Sequence, residues 1–334
     1  MIFYGSIIIR LAQVVSLLSI LLMAGCSTGY FGNQSRVIAR DDAFVIVQMG
    51  QESTRSLAKR YLGSESKYWA IEDANGPDDL KPGGHVVIPL GDLNPTGIER
   101  AGYQTVPILC YHRFGERGGK LEVSAHQFRE QMQYLKSNGY RVIPLLDLLG
   151  FLEGKNPIPK RSVVLTIDDG HRSIYSVAFP ILQEFDFPAT IFLYTDYMDK
   201  GGLTTKELRA MNRSGLISIQ PHSKTHTNLT RRDSGESKQR YLRRVDHEVE
   251  APIVAISQKL GSTPRFYAYP FGATNEQVID VLRERGVQMG LTVESEPNAA
   301  FTYPYTLHRS MIYGDRDLDA FIDRLVTFKS RQRE

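Results

Sequence analysis

The run Val163-Val164-Leu165-Thr166-Ile167, closed by Asp168-Asp169-Gly170, constrains this chain more than any other stretch. Successive apolar and β-branched residues predict a buried strand. Two adjacent carboxylates at the end of that strand repel each other, and the repulsion raises one pKa. A bound cation removes the conflict: one acid ligates it while the other stays free as a base. The plain alternative is a turn, because Asp-Gly pairs commonly end strands.

The surrounding sequence favours the first reading. From residue 105 onward, short apolar strands alternate with amphipathic helices. "VPILCYH" precedes the helix "SAHQFREQMQYLKSNG", "SVVLTIDD" precedes "SVAFPILQEF", and "ATIFLY" and "VQMGLTV" follow the same rhythm. Such alternation predicts an α/β fold with parallel strands and crossover helices, of barrel-like form. In barrels of this kind active-site residues lie at the C-terminal ends of strands, which is where Asp168 and Asp169 fall.

Two further clusters end strand-like runs. "LISIQPHSKTHTNL" carries His222 and His226, and a spacing of four on a helical turn puts both imidazoles on one face. One Asp with two His leaves positions on a metal open for water and substrate. "RFYAYPFGATN" bends at Pro270 and Gly272.

"TIDDG", "HSKTH" and "YAYPFG", with the opening "PILCYHRF" and "FPATIFLYTDY", resemble the motifs of the polysaccharide deacetylases, the NodB-homology domain of carbohydrate esterase family 4. The resemblance covers residues 105–330. It implies a distorted, incomplete (β/α) barrel and metal-dependent removal of N-acetyl groups from amino-sugar polymers. It also implies that Asp169, His222 and His226 hold one divalent ion, zinc by expectation, and that Asp168 is the general base. The backbone N–H of Phe271 would stabilise the oxyanion, and His308 would be the general acid. Tyr269, Pro270, Arg309 and His112 would face the substrate. Ala268 stands where many members have Arg, which leaves Arg309 as the candidate for tuning Asp168. The motif-four Trp is absent, and the usual His-Asp of the last motif reads His308-Arg309. "AYPFG" with "LTVESEPN…LHRSMI" is closer to the branch acting on poly-N-acetylglucosamine than to the branch acting on chitin oligomers.

The N-terminus reads as targeting rather than fold. "LAQVVSLLSILLMA" follows Arg10 and is too short for a comfortable membrane span. Its ending "LLMAGC" resembles the lipobox of bacterial lipoproteins. That resemblance implies a signal peptide over 1–25, lipid attachment at Cys26, and a membrane-anchored protein of the cell envelope, on the periplasmic face of the outer membrane given Ser27. Residues 26–42 read as a tether and 92–104 as a linker. Between them, 43–91 predicts a small β-α-α-β unit ending in "LKPGGHVVIP". It resembles a LysM domain, a glycan-binding module, with "GQES" in place of the usual G-D-T-L opening.

Composition limits the alternatives. A net charge of +3 on 334 residues gives no case for nucleic acid. Cys110 alone remains beside Cys26, so the mature chain has no internal disulfide. The leading expectation is a lipid-anchored N-deacetylase of a β-linked N-acetylglucosamine polymer. The other readings are a peptidoglycan N-deacetylase, which the LysM-like unit favours, and a non-catalytic cell-wall-binding lipoprotein.

Overall fold

The computed structural model describes residues 33–116 and 119–331. The signal segment 1–25 and Cys26 lie outside the described residues. Among those described, no helix is long and apolar enough to cross a membrane. The chain divides into two units, Met1–Gly91 and Asp92–Glu334.

The first unit is a three-stranded antiparallel sheet in the order β1 (Arg36–Arg40), β2 (Phe44–Gln48), β3 (His85–Pro89), with helices α1 (Thr54–Leu62) and α2 (Tyr68–Ala74) between β2 and β3. Period-two alternation buries Val45 and Val47 of β2 against Leu57, Ile71, Val86 and Ile88. Ser53 caps α1 by accepting the Ser56 N–H, and Gly63 ends it in the left-handed region. The Asn75 side chain ties α2 to β3, donating to Ile71 O and Val87 O and accepting from Val87 N. The β1 strand is a correction, since residues 26–42 read as tether. Its "RVIAR" leaves Val37 and Ile38 exposed. What holds it is a backbone ladder to β2, which no side-chain pattern announces.

The second unit is α/β. Five parallel strands run in the order β7 (Ile217–Pro221), β6 (Ala189–Leu193), β5 (Ser162–Asp169), β4 (Ile108–Tyr111), β10 (Ser310–Met311). Helices α3 (Ala125–Ser137), α5 (Phe179–Phe185) and α6 (Thr205–Arg213) pack on this sheet through Phe128, Met132, Leu182 and Leu208. A separate parallel pair, β8 (Phe266–Ala268) with β9 (Met289–Leu291), is flanked by α7 (Lys238–Leu260) and α8 (Glu276–Glu284). Among the described residues the strands do not close into a barrel. Between β7 and β8 a side chain replaces the ladder: Gln220 Oε1 accepts the N–H groups of Arg265 and Phe266 at 2.9 and 3.0 Å. A further helix, α4 (Leu145–Leu152), covers a second core around Val164, Phe192 and Leu291.

Candidate active site

The apolar run of β5 is buried through Asp168, which is 2% exposed. Asp169 then turns out of the strand at φ +71°, followed by Gly170 at φ +77°. A side chain at 170 would stand 2.8 Å from Leu193 Cβ, so the turn requires glycine twice over. This reversal sends the two neighbouring carboxylates into different surroundings.

Asp168 meets Arg309, which is fully buried. The guanidinium donates to Oδ1 at 2.7 Å and to Oδ2 at 2.8 Å, and its Nε donates to Thr292 O at 2.8 Å. Burial pushes the Asp168 pKa up. The Arg309 charge, helped by His222, outweighs it and holds the carboxyl well below the usual range. The Cys110 thiol, kept protonated by burial, donates to Asp168 Oδ2 at 3.5 Å.

Asp169 is the opposite case. Burial raises its pKa, and the Asp168 charge adds to the rise while His112 opposes it. Its Oδ1 stands 3.4 Å from His226 Nε2 and 3.8 Å from His222 Nε2. The His222 Nδ1 lies 2.7 Å from Ala268 O. A carbonyl can only accept, so Nδ1 carries the proton and Nε2 offers its lone pair to the site. Burial lowers the His222 pKa to about 4 and also lowers that of His226, so both are neutral at pH 7.

The residues present fit a divalent cation. One ligand atom each from Asp169, His222 and His226 lies within 4.8 Å of the others. Two of these are neutral nitrogens with free lone pairs, and the third is an acid whose pKa burial raises. Cys110, His112 and Asp168 form a second such group. It does not fit an ion, because Arg309 occupies both Asp168 oxygens and the thiol stays protonated.

The two histidines converge by a route that differs from the helical turn expected. Residues 222–226 form a loop, with Ser223 at φ +70° and His226 at φ +62°. Glu248 of α7, 5% exposed, accepts from the N–H groups of Lys224 and Thr225 at 3.0 and 2.9 Å and from the Thr225 hydroxyl at 2.9 Å. Lys224 also pairs with Asp196 at 2.9 Å. Sequence reasoning missed Glu248, which reads as one acid among many on a polar helix.

Phe271 stands at the rim, 63% exposed at φ +62°, its ring 4.8 Å from that of His226. Tyr194 faces His226 from another side at 5.2 Å and stacks on Tyr197. His112 is half-buried beside Asp168, and its buried Nδ1 has no hydrogen-bond partner among the described residues.

Three expected substrate contacts are displaced. Arg309 is fully buried under Asp168, where it takes the tuning role instead. Tyr269 is fully buried with its hydroxyl on Tyr305 O, and Pro270 is buried beneath the loop. His308 also moves away from its expected role. Alternation along the chain sends the Arg309 side chain inward, and the neighbouring His308 turns out to meet the exposed Glu294 at 3.6 Å.

Parallel strands end in this Asp-Asp-His-His constellation, and the chain is an enzyme whose relatives are polysaccharide deacetylases. Residues 155–290, within the second unit, match the polysaccharide deacetylase family. The chain is 26% identical over 199 residues to the poly-beta-1,6-N-acetyl-D-glucosamine N-deacetylase of Staphylococcus aureus (strain MRSA252), covering 58% of this chain and 68% of that one. Its fold is similar to that of the Streptococcus pyogenes deacetylase PplD, solved in complex with acetate, at a TM-score of 0.60, 23% identity, and 66% and 98% coverage of the two chains. IcaB from Ammonifex degensii is similar at a TM-score of 0.59 and 22% identity, covering 67% of this chain and 97% of that one.

Proposed function

We propose that this enzyme is a metal-dependent N-deacetylase of a β-linked N-acetylglucosamine polymer of the poly-N-acetylglucosamine type. The observation that carries the reading is the split of one carboxylate pair: Asp168 locked to Arg309, and Asp169 turned toward His222 and His226. Asp169, His222 and His226 would hold the ion, and zinc suits these donors. When bound, the ion supplies a Lewis acid for the acetyl carbonyl and for water.

The chain's own groups do the rest. Arg309 keeps Asp168 ionised, so Asp168 accepts a proton from the water that attacks the acetyl carbon. The Phe271 N–H donates to the oxyanion that forms there. The C–N bond then breaks, acetate leaves, and the sugar nitrogen takes a proton. His112 lies beside Asp168 whereas His308 meets the exposed Glu294, and this favours His112 as the acid that delivers that proton.

Acetate release from defined glycans tests the substrate. The expected result is turnover of β-1,6-linked N-acetylglucosamine oligomers well above that of peptidoglycan fragments. The reverse order would assign the enzyme to peptidoglycan, and no release from any glycan would leave a cell-wall-binding protein.

The same proposal places the chain at the cell envelope, lipid-anchored through Cys26 at the periplasmic face of the outer membrane, with residues 43–91 as a LysM-like glycan-binding unit. The "LLMAGC" ending and the β-α-α-β order support it. Cys26→Ala is expected to move the protein from membrane to soluble fractions, because acyl chains supply most of the anchoring energy. Unchanged fractionation would refute the anchor.

A further inference from the structure

The mechanism leaves one strained, exposed aromatic group unused. Phe301 is 65% exposed and sits at φ +65°, a conformation that a bulky side chain rarely adopts. Its N–H donates to Leu152 O at 2.8 Å, which fixes the backbone. Its ring edge rests against Gly154, where an added Cβ would stand 2.7 Å from Cζ and 2.8 Å from Cε1. Tyr303, 41% exposed, follows two residues later, with its hydroxyl bonded to Arg283. Beside them is a cavity of about 260 Å³ whose lining includes Glu153, Gln288 and Tyr305.

This cluster lies at the end of the unit remote from Asp169. Gln288 precedes β9 and its N–H donates to Arg265 O, at the entry of the β8–β9 pair. The carbonyl that orients His222 belongs to Ala268, at the other end of β8.

We infer that Phe301, Tyr303 and the adjoining cavity form a second glycan-binding site, one that holds a distant stretch of the polymer deacetylated at Asp168. The inference rests on the proposed function. An exposed aromatic ring on a backbone held by Leu152 suits the C–H face of a pyranose ring. Glu153 and Gln288 supply acceptors and donors for hydroxyl and acetamide groups. The cavity is below the roughly 300–1,000 Å³ of a drug-sized site, and suits one sugar unit of a chain rather than a peptide helix. A polymer held at two points gains affinity that a short oligomer cannot.

The test uses the full chain with Asp168→Asn to halt turnover, and measures retardation in gels containing long poly-β-1,6-N-acetylglucosamine. Phe301→Ala and Tyr303→Ala are each expected to weaken retention roughly tenfold or more, with melting temperature and oligomeric state unchanged. Retention equal to that of the Asp168→Asn parent would overturn the inference. A shift in oligomeric state would also overturn it, because the face would then belong to a second copy. Acetate release by the unsubstituted enzyme is read separately. Its absence refutes the proposed function, whereas its presence with unaltered retention refutes only the second site.

Discussion

Arg309 and Asp168 are the most consequential pair in the molecule because neither has water to fall back on. Removing one partner of a buried ion pair leaves an uncompensated charge. Arg309→Met is therefore expected to destabilise the fold by about 3–5 kcal/mol, measured by urea denaturation at pH 7; an unchanged midpoint would refute the clamp. The sign reverses for His222, whose pKa falls to about 4 in the fold against an ordinary value of about 6.5. Above pH 6.5 both folded and unfolded chains hold it neutral, and it contributes nothing. As pH falls from about 6.5 toward 4 the unfolded chain binds a proton that the metal-free fold excludes. Stability of the metal-free protein is expected to drop through that window, and His222→Gln should flatten the slope. Asp168 behaves as a depressed acid: its stabilisation is complete above its ordinary pKa and is lost only at lower pH.

At the scale of elements, the loop from Ser223 to His226 carries two positive-φ residues, a cost accepted only where surroundings enforce it. Glu248 provides that enforcement from α7. Glu248→Ala is expected to weaken ion binding by about 10- to 100-fold, read by competition with a chelator; equal affinity would show that the loop holds its shape unaided. This loop also marks how far the sequence could be read. The ends of β5, β7 and β8 were legible from hydrophobic runs followed by Asp, His and Pro-Gly, since strand ends and reactive residue types share one pattern. The convergence of His222 and His226 was not, because a spacing of four is equally a helical turn and a bent loop, and the deciding group lies at Glu248. His308 misled for a related reason: its motif position was clear, but the inward or outward sense of Arg309 decides which way it faces. Burial likewise removed Tyr269 and Pro270 from the substrate side, although their place in "AYPFG" beside Phe271 suggested otherwise.

At the scale of the molecule, the junction between β7 and β8 was not legible in the sequence, since the Gln220 side chain bridges it in place of a ladder. An ion bound only by the folded second unit stabilises it by mass action, about 2.7 kcal/mol at a hundredfold excess over Kd. Chelation is expected to lower the melting temperature and abolish turnover together, with zinc restoring both; turnover that survives exhaustive chelation would refute metal dependence. The central claim is that Asp168 draws the proton from the attacking water while Asp169, His222 and His226 hold the ion. Acetate release from a β-1,6-linked N-acetylglucosamine pentamer, by the enzyme and by Asp168→Asn loaded with equal zinc, tests it most directly. Steady release by the enzyme and a loss of about 100- to 10,000-fold in the variant are expected. Release by the variant at the parent's rate, or none by the parent, would contradict it.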